Sequence, residues 1–155
     1  MTTLHARLGR RRGRRRGAVL IEAALVMLVL LLITFGTIEF GFFVYYKHTL
    51  TSAARSGARA AIVAGSTGTS VQDAVKAVID PAGMKSSVDY TTTAVKIENV
   101  TTGAVVTSPG DVPAGNDVGV TVTATSNWGD IGFSPMKLIG SATKVSAKVV
   151  MRKEG

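Results

Sequence analysis

The sequence contains no cysteine. Disulfide bonds, thiolate nucleophiles and cysteine metal ligands are therefore excluded. Histidine is scarce as well, because only His5 and His48 occur, and they lie far apart in the sequence. Zinc-protease, phosphate-loop and nucleophile-elbow motifs are also missing. These absences predict a protein with no catalytic residues, no metal site and no cofactor, and we do not expect an enzyme.

Acidic residues are absent from residues 1–17, which hold seven arginines. The formal net charge of the chain is +8, of which this segment carries +7, so residues 18–155 carry only +1. A nucleic-acid-binding protein spreads its basic residues over a folded face that also holds reading residues. The concentrated run therefore predicts no nucleic-acid partner. It is typical of a segment that holds the N-terminus in the cytoplasm.

Basic residues and proline are missing from the twenty-nine residues between Ala18 and Tyr46. A helix of this length extends over about 43 Å, which exceeds the roughly 30 Å of a hydrocarbon core. It is also too long for the apolar region of a signal peptide, which has about 7–15 residues. We therefore predict a membrane-spanning helix that the mature protein keeps. Only Lys47, Arg55 and Arg59 follow closely, so the charge asymmetry places the C-terminal domain outside.

Glu22 lies near the start of this apolar run. A carboxylate near the membrane interior costs about 2–3 kcal/mol unless it is paired. If the chain were cut after Gly17, the new amino group of Ala18 would lie one helical turn from Glu22, in the same chain or a neighbouring one. The alternative is a carboxylate at the headgroup level that extends toward water. The basic leader, the glycine and the spacing together favour the pairing.

Two groups of residues carry a resemblance to a known family. The basic leader followed by Gly17 and Ala18-Val-Leu-Ile-Glu22 resembles the class III signal of type IV prepilins. Ile38-Glu-Phe-Gly41 and Ala53-Ala-Arg-Ser-Gly-Ala-Arg59 resemble the TadE-like pseudopilins of tight-adherence (Flp-type) pilus systems. Ala23 follows the glutamate where the major pilins of these systems usually carry an aromatic residue, which argues against a major subunit.

The resemblance implies a minor pilin or pseudopilin that helps to assemble or prime a tight-adherence pilus in adhesion. Prepilin peptidase would cleave between Gly17 and Ala18, and Glu22 would pair with an amino group during assembly. The partners would be other pilins, the pilus assembly machinery and membrane lipid. The protein would cross the inner (cytoplasmic) membrane once or enter an extracellular pilus. The alternative is an unprocessed single-span protein with an outer binding domain.

Two further patterns in the helix have two explanations each. Thr34, Thr37 and Gly41 form a stripe at positions i, i+3 and i+7, where small and hydroxyl residues let helices pack closely in lipid. The alternative is that a membrane helix simply tolerates them. Arg55 and Arg59 lie one turn apart, and they either pair with acids of a neighbouring subunit or form a solvated face.

The outer end of the apolar run holds a second acid, Glu39, which could meet Lys47 or interfacial water, and we predict no special role for it. The aromatic residues that follow are typical of anchoring at a membrane interface. Beyond them the helix should continue to Ala64 and stop at Gly65. Its apolar stripe consists of Leu50, Ala54, Gly57, Ala58 and Ala61.

The rest of the chain predicts a small α+β domain. Ser70 should cap a second helix that ends at Pro81. Alternation and turn signals predict strands over residues 90–100, 104–107, 118–124 and 145–151, which form one antiparallel sheet. Trp128 lies in an irregular connection with Phe133 nearby, and we expect it to fill the core or plug a loop.

The predicted organisation has four parts. A long N-terminal helix crosses the membrane, continues outward and packs on the sheet, which is also the general pilin plan by resemblance. The parts are a basic leader (1–17), a transmembrane helix (18–46), its outward continuation (47–65) and the α+β domain (66–155).

Overall fold

The computed structural model describes residues 11–84, 87–88, 94–131 and 135–154. The chain divides into two compact units, Met1–Ile38 and Glu39–Gly155. The helices are α1 (Arg11–Ile62), α2 (Gly68–Ile79) and α3 (Trp128–Ile131), and the strands are β1 (Val95–Asn99), β2 (Ala104–Val105), β3 (Asp117–Thr123) and β4 (Ser146–Arg152).

The first unit is described from Arg11 onward, and it consists there of the N-terminal part of α1. Side chains from Gly17 to Phe35 are exposed. The most apolar 18-residue window of the helix has a mean hydropathy of 2.8, and none of that window is buried. A helix this long and apolar fits a single-pass membrane anchor.

In the second unit, the four strands form one antiparallel sheet in the order β2-β1-β3-β4. Val120 at the centre of β3 pairs with Ile97 of β1 and with Val149 of β4. Because side chains alternate between the two faces of a strand, Val118, Val120 and Val122 share one face, and all three are buried. The α+β prediction is confirmed. The predicted first strand is shorter than expected, and its residues 90–93 lie outside the described part of the chain.

The buried face of the sheet packs against the second half of α1. The predicted stripe is confirmed, because Leu50, Ala54, Ala58 and Ala61 are completely buried. Gly57 lies at the closest approach: a Cβ atom there would lie 2.8 Å from Val75 Cγ2 on α2, 3.2 Å from Val120 Cγ1 on β3 and 3.3 Å from Val71 Cγ1 on α2. The small side chains of this stripe thus let α1 approach α2 and the sheet together.

The start of α2 differs from the prediction. Thr67 is the N-cap rather than Ser70, because Thr67 Oγ1 accepts a hydrogen bond from the Ser70 backbone N–H (3.3 Å). Ser70 Oγ in turn accepts one from the Thr67 backbone N–H (3.1 Å). Thr-x-x-Ser acts here as a capping box in which Ser holds the third helical position. The helix accordingly begins at Gly68. The preceding helix, α1, ends at Ile62, two residues before its predicted end at Ala64.

The chain's C-terminal residues are fixed by a buried lysine. The Lys153 ammonium group donates hydrogen bonds to the backbone carbonyls of Pro109 (2.7 Å), Gly110 (3.0 Å) and Val112 (2.7 Å). Its three donors thus bind the short 3₁₀ turn Pro109–Asp111 and the residue after it. This contact holds the end of β4 against a loop that lies about forty positions earlier.

Candidate functional site

The predicted cleavage and assembly residues lie on the exposed surface of α1. Gly17, Ala18 and Glu22 are all exposed, and the peptide bond after Gly17 lies inside a continuous helix. A Cβ atom added at Gly17 would meet nothing within 4 Å. The spacing of four residues places Ala18 and Glu22 on one face of α1, one turn apart. Contacts among the described residues therefore do not require a glycine at position 17, and cleavage after it remains a prediction.

The hydroxyl groups of the predicted packing stripe are bonded within α1. Thr34 Oγ1 donates to the Leu30 carbonyl and Thr37 Oγ1 donates to the Ile33 carbonyl, each over 2.8 Å. The threonines therefore present methyl groups outward at no cost in unsatisfied hydrogen bonds. Gly41 is also exposed, and a Cβ atom there would meet nothing within 4 Å. Packing within the described chain does not account for this glycine either.

Arg55 and Arg59 lie on the exposed side of α1, opposite the buried stripe. Within the described residues neither side chain forms an ion pair, and the two salt bridges found there both involve Glu98. The two guanidinium groups thus form a basic pair one helical turn apart that is open to a partner. Pairing with acids of a neighbouring subunit remains a prediction.

Glu39 makes a long-range contact that the sequence patterns did not predict. Its side chain is completely buried. The carboxylate accepts hydrogen bonds from the backbone N–H groups of Met136 (3.2 Å) and Ile139 (3.1 Å). The predicted partner Lys47 donates to the Ser146 carbonyl. Glu39 therefore ties α1 to residues 135–140, hereafter the clasp loop.

Trp128 lies in the core of the second unit. Its ring packs edge-to-face against Phe43 (5.3 Å between centroids) and against Tyr46 (5.7 Å). The prediction that Trp128 fills the core is confirmed by its complete burial, whereas Phe133 lies outside the described residues. Tyr45 packs edge-to-face against Tyr46 (6.0 Å between centroids), and its hydroxyl donates to the Ala82 carbonyl (3.1 Å). Part of the predicted aromatic band therefore packs on the domain rather than facing outward.

The exposed face of the sheet carries an ion-pair network that crosses a whole strand. Glu98 on β1 bonds to Lys148 on β4 and lies 3.5 Å from the ammonium of Lys96. β3 runs between the two strands, and its residue opposite Glu98 is Gly119. A Cβ atom at Gly119 would lie 3.2 Å from Glu98 Cγ. The glycine therefore leaves room for the Glu98 side chain to reach Lys148 across β3. The hydrogen bond from Lys148 lowers the pKa of Glu98, and Lys96 adds to the effect.

Comparison with known proteins adds one match. The model of a family described as TadE-like protein matches residues 17–59. No curated protein and no solved structure matches the chain. The matched segment begins at the predicted cleavage glycine and ends at Arg59. It thus contains every one of the predicted cleavage, assembly and helix-packing residues, and Glu39 as well.

Proposed function

We propose that this chain, which the match over residues 17–59 supports as a TadE-like, pilus-associated protein, is a minor pilin or pseudopilin that helps to assemble or prime a tight-adherence pilus. One observation carries the proposal. The family match coincides with an apolar helix whose side chains from Gly17 to Phe35 are exposed and thus available to lipid and to neighbouring helices. The proposed role is structural and needs no catalytic group.

The first step of the proposed mechanism creates a charge. Prepilin peptidase cleaves after Gly17, which removes the seven leader arginines and leaves an ammonium group on Ala18. Glycine supports this step because it costs about 1 kcal/mol in a helix interior relative to alanine, so α1 unwinds more easily there.

The second step uses Glu22. A lone carboxylate in a membrane is costly, but the low dielectric constant strengthens its attraction to a nearby ammonium group. Within the described residues Glu22 has no bonded partner. The ammonium of Ala18, on the same chain or a neighbour, becomes that partner only after processing. Assembly therefore follows cleavage, because the unprocessed chain lacks the cation.

Side-by-side packing of helices follows. The stripe of Thr34, Thr37 and Gly41 accommodates a close neighbour in the membrane. Outside the membrane, Arg55 and Arg59 bind acids of an adjacent subunit. The domain faces away from the cytoplasm, since the seven arginines hold the N-terminus inside.

Replacement of Glu22 tests the proposal. Glu22→Ala should leave a processed, membrane-resident subunit that no longer supports pili, and Glu22→Asp should keep part of the piliation because it keeps the charge. Leu25→Ala is the matched control, since Leu25 is also an exposed side chain of this segment. Piliation is measured on sheared fibres in a strain where the variant replaces the native copy at equal subunit abundance. Normal piliation with Glu22→Ala would contradict the proposal.

A further inference from the structure

The strand β4 forms an edge of the sheet, since β3 is its single neighbour in the described part of the chain. Val145, just before β4, accepts a hydrogen bond at its carbonyl from the N–H of Ala124, just after β3. Because the backbone groups of successive strand residues point to opposite sides, the even-numbered residues of β4 direct theirs away from β3. Those that follow Ser146 are Lys148, Val150 and Arg152.

The outward backbone groups of this edge are available to a partner. At the start of β4 the outward carbonyl of Ser146 is occupied, because the Lys47 ammonium on α1 donates to it. The outward N–H and carbonyl groups of the next three even-numbered residues form no hydrogen bond within the described residues. Such a row of alternating donors and acceptors is the complement of another extended strand.

Side chains on the inner face of the same edge are incompletely covered. Val149 and Met151 pack against the hydrophobic core, yet both remain half-buried. Their partners on β3, Val120 and Val118, are completely buried. Because neighbouring strands place paired side chains on one face, apolar residues of an added strand would cover Val149 and Met151.

The outer face of the edge is basic. Lys148 and Arg152 are exposed, and they flank Val150, which is 44% exposed. Lys148 bonds to Glu98 within the sheet, whereas Arg152 forms no ion pair within the described residues. Opposite charges directly across two strands stabilise their pairing, and like charges destabilise it. A strand beside β4 should therefore carry acids opposite Lys148 and Arg152 and an apolar residue opposite Val150.

A second copy of the chain does not meet this requirement. Antiparallel pairing of two β4 strands about Val150 would place Lys148 of one copy opposite Arg152 of the other, which juxtaposes like charges. No two of the ten acidic residues in the sequence are four positions apart, so no other segment supplies acids at both places. The complementary strand therefore belongs to a different polypeptide.

We propose that β4 binds an extended segment of another protein by strand addition. The segment has two acidic residues four positions apart and apolar residues at the three positions between them. The acids pair with Lys148 and Arg152, the central apolar residue lies beside Val150, and the other two cover Val149 and Met151. The inference goes beyond the proposed pilus role, because it concerns a surface that this role does not use and requires no cleavage after Gly17.

A synthetic peptide tests whether the edge binds such a segment. The probe is the fluorescein-labelled heptapeptide Thr-Glu-Val-Val-Val-Glu-Thr with blocked termini, the full chain is held in detergent micelles, and empty micelles give the baseline. Fluorescence anisotropy should show saturable binding, and lysine in place of both glutamates should weaken it roughly tenfold. Equal binding of the two peptides would overturn the proposal. Absence of binding would also overturn it, and would indicate that the basic residues keep this edge unpaired.

Val150→Pro locates the binding site. Proline removes the outward N–H but leaves the hydrogen bonds to β3, and edge strands tolerate proline. The affinity for the acidic peptide should fall about tenfold. Val105→Pro is the matched control, because Val105 is 63% exposed and lies on β2 at the opposite edge of the sheet. Unchanged affinity with Val150→Pro, or an equal loss with Val105→Pro, would overturn the proposal.

Arg152→Glu tests the charges while leaving the backbone ladder intact. It should weaken binding of the acidic peptide about threefold and strengthen binding of a peptide in which one glutamate is lysine. The fluorescence of Trp128 checks that each variant is folded. An unchanged preference for the acidic peptide would overturn the proposal. Self-association of the chain that Val150→Pro abolishes, without peptide binding, would assign the edge to a second copy and would overturn it too.

Discussion

The backbone N–H of Ile139 donates a 3.1 Å hydrogen bond to the carboxylate of Glu39, which lies one hundred positions earlier in the chain. Together with the bond from Met136, it attaches the clasp loop to α1. The layer of Trp128, Phe43 and Tyr46 comes next along the helix.

Removal of the Glu39 carboxylate should destabilise the second unit. Glu39→Ala leaves two backbone donors without their acceptor, and a buried unsatisfied group costs about 1–3 kcal/mol. We expect the free energy of unfolding to fall by roughly 2–5 kcal/mol. Denaturant unfolding followed by the fluorescence of Trp128, the single tryptophan, measures it. Glu154→Ala, at an exposed side chain, is the control and should match the unchanged protein. Equal unfolding midpoints for both variants would be inconsistent with the role of Glu39.

The contribution of Glu98 to stability should depend on pH. The hydrogen bond from Lys148 lowers the pKa of Glu98 below its usual value of 4.5. A depressed folded-state pKa means that the stabilisation is present above the unfolded pKa and is lost as the pH falls through the folded pKa. Glu98→Gln should therefore destabilise by about 0.5–1 kcal/mol at neutral pH, and the difference should shrink as the pH falls below 4.5 and through the lowered pKa of Glu98. Asp73→Asn, at an exposed acid of α2, is the control. If the difference in unfolding free energy between Glu98→Gln and the unchanged protein persisted undiminished in acid, it would argue against a lowered pKa of Glu98.

Two glycines of α1 should respond oppositely to a larger side chain. Gly57→Val forces methyl groups against Val75, which lies 2.8 Å from the Cβ position, so the unfolding free energy should fall by about 1–3 kcal/mol. Gly41→Val meets open space and should change stability by no more than about 0.5 kcal/mol. Piliation should nevertheless fall with Gly41→Val, because the helix loses its close-packing position. Thermal unfolding and piliation assays separate the two effects. Full piliation with Gly41→Val would mean that this glycine is merely tolerated.

The orientation of the chain can be tested with a Val105→Cys variant. If residues beyond the spanning segment lie outside the cytoplasm, a small membrane-impermeant thiol reagent should label this cysteine in whole cells. The charge asymmetry around the helix is the physical reason for this orientation. Labelling after lysis shows how much reactive protein is present. Labelling that occurs only after lysis would place the domain in the cytoplasm and would contradict the topology.

Local patterns in the sequence predicted a large part of this fold. The stripe from Leu50 to Ala61 follows the helical period, and the alternation of Val118, Val120 and Val122 follows the strand period. Both patterns involve residues that are close together in the sequence, so they can be recognised from a single sequence. The same holds for the exposure of Arg55 and Arg59, which lie opposite the stripe.

The contacts that the sequence did not predict are long-range and polar. Glu39 accepts hydrogen bonds from the clasp loop, and Lys153 donates to the carbonyls of Pro109, Gly110 and Val112. In both contacts the partner groups belong to the backbone. Residue identity therefore gives no signal of the partner, and only the tertiary path of the chain brings them together. The cap of α2 was misplaced for a local reason, because both Thr67 and Ser70 have the side chain of an N-cap and the capping box uses both.

The mass of the mature protein tests the central claim most directly. The proposed function requires cleavage after Gly17, so intact mass spectrometry of protein from the native host should give a chain that begins at Ala18, with or without N-methylation. Gly17→Phe should block the cut by hindering the peptidase rather than by disturbing the fold, since a Cβ atom there meets nothing. A native protein whose mass retains the seven leader arginines would contradict the account, and it would favour an unprocessed single-span anchor with an outer binding domain.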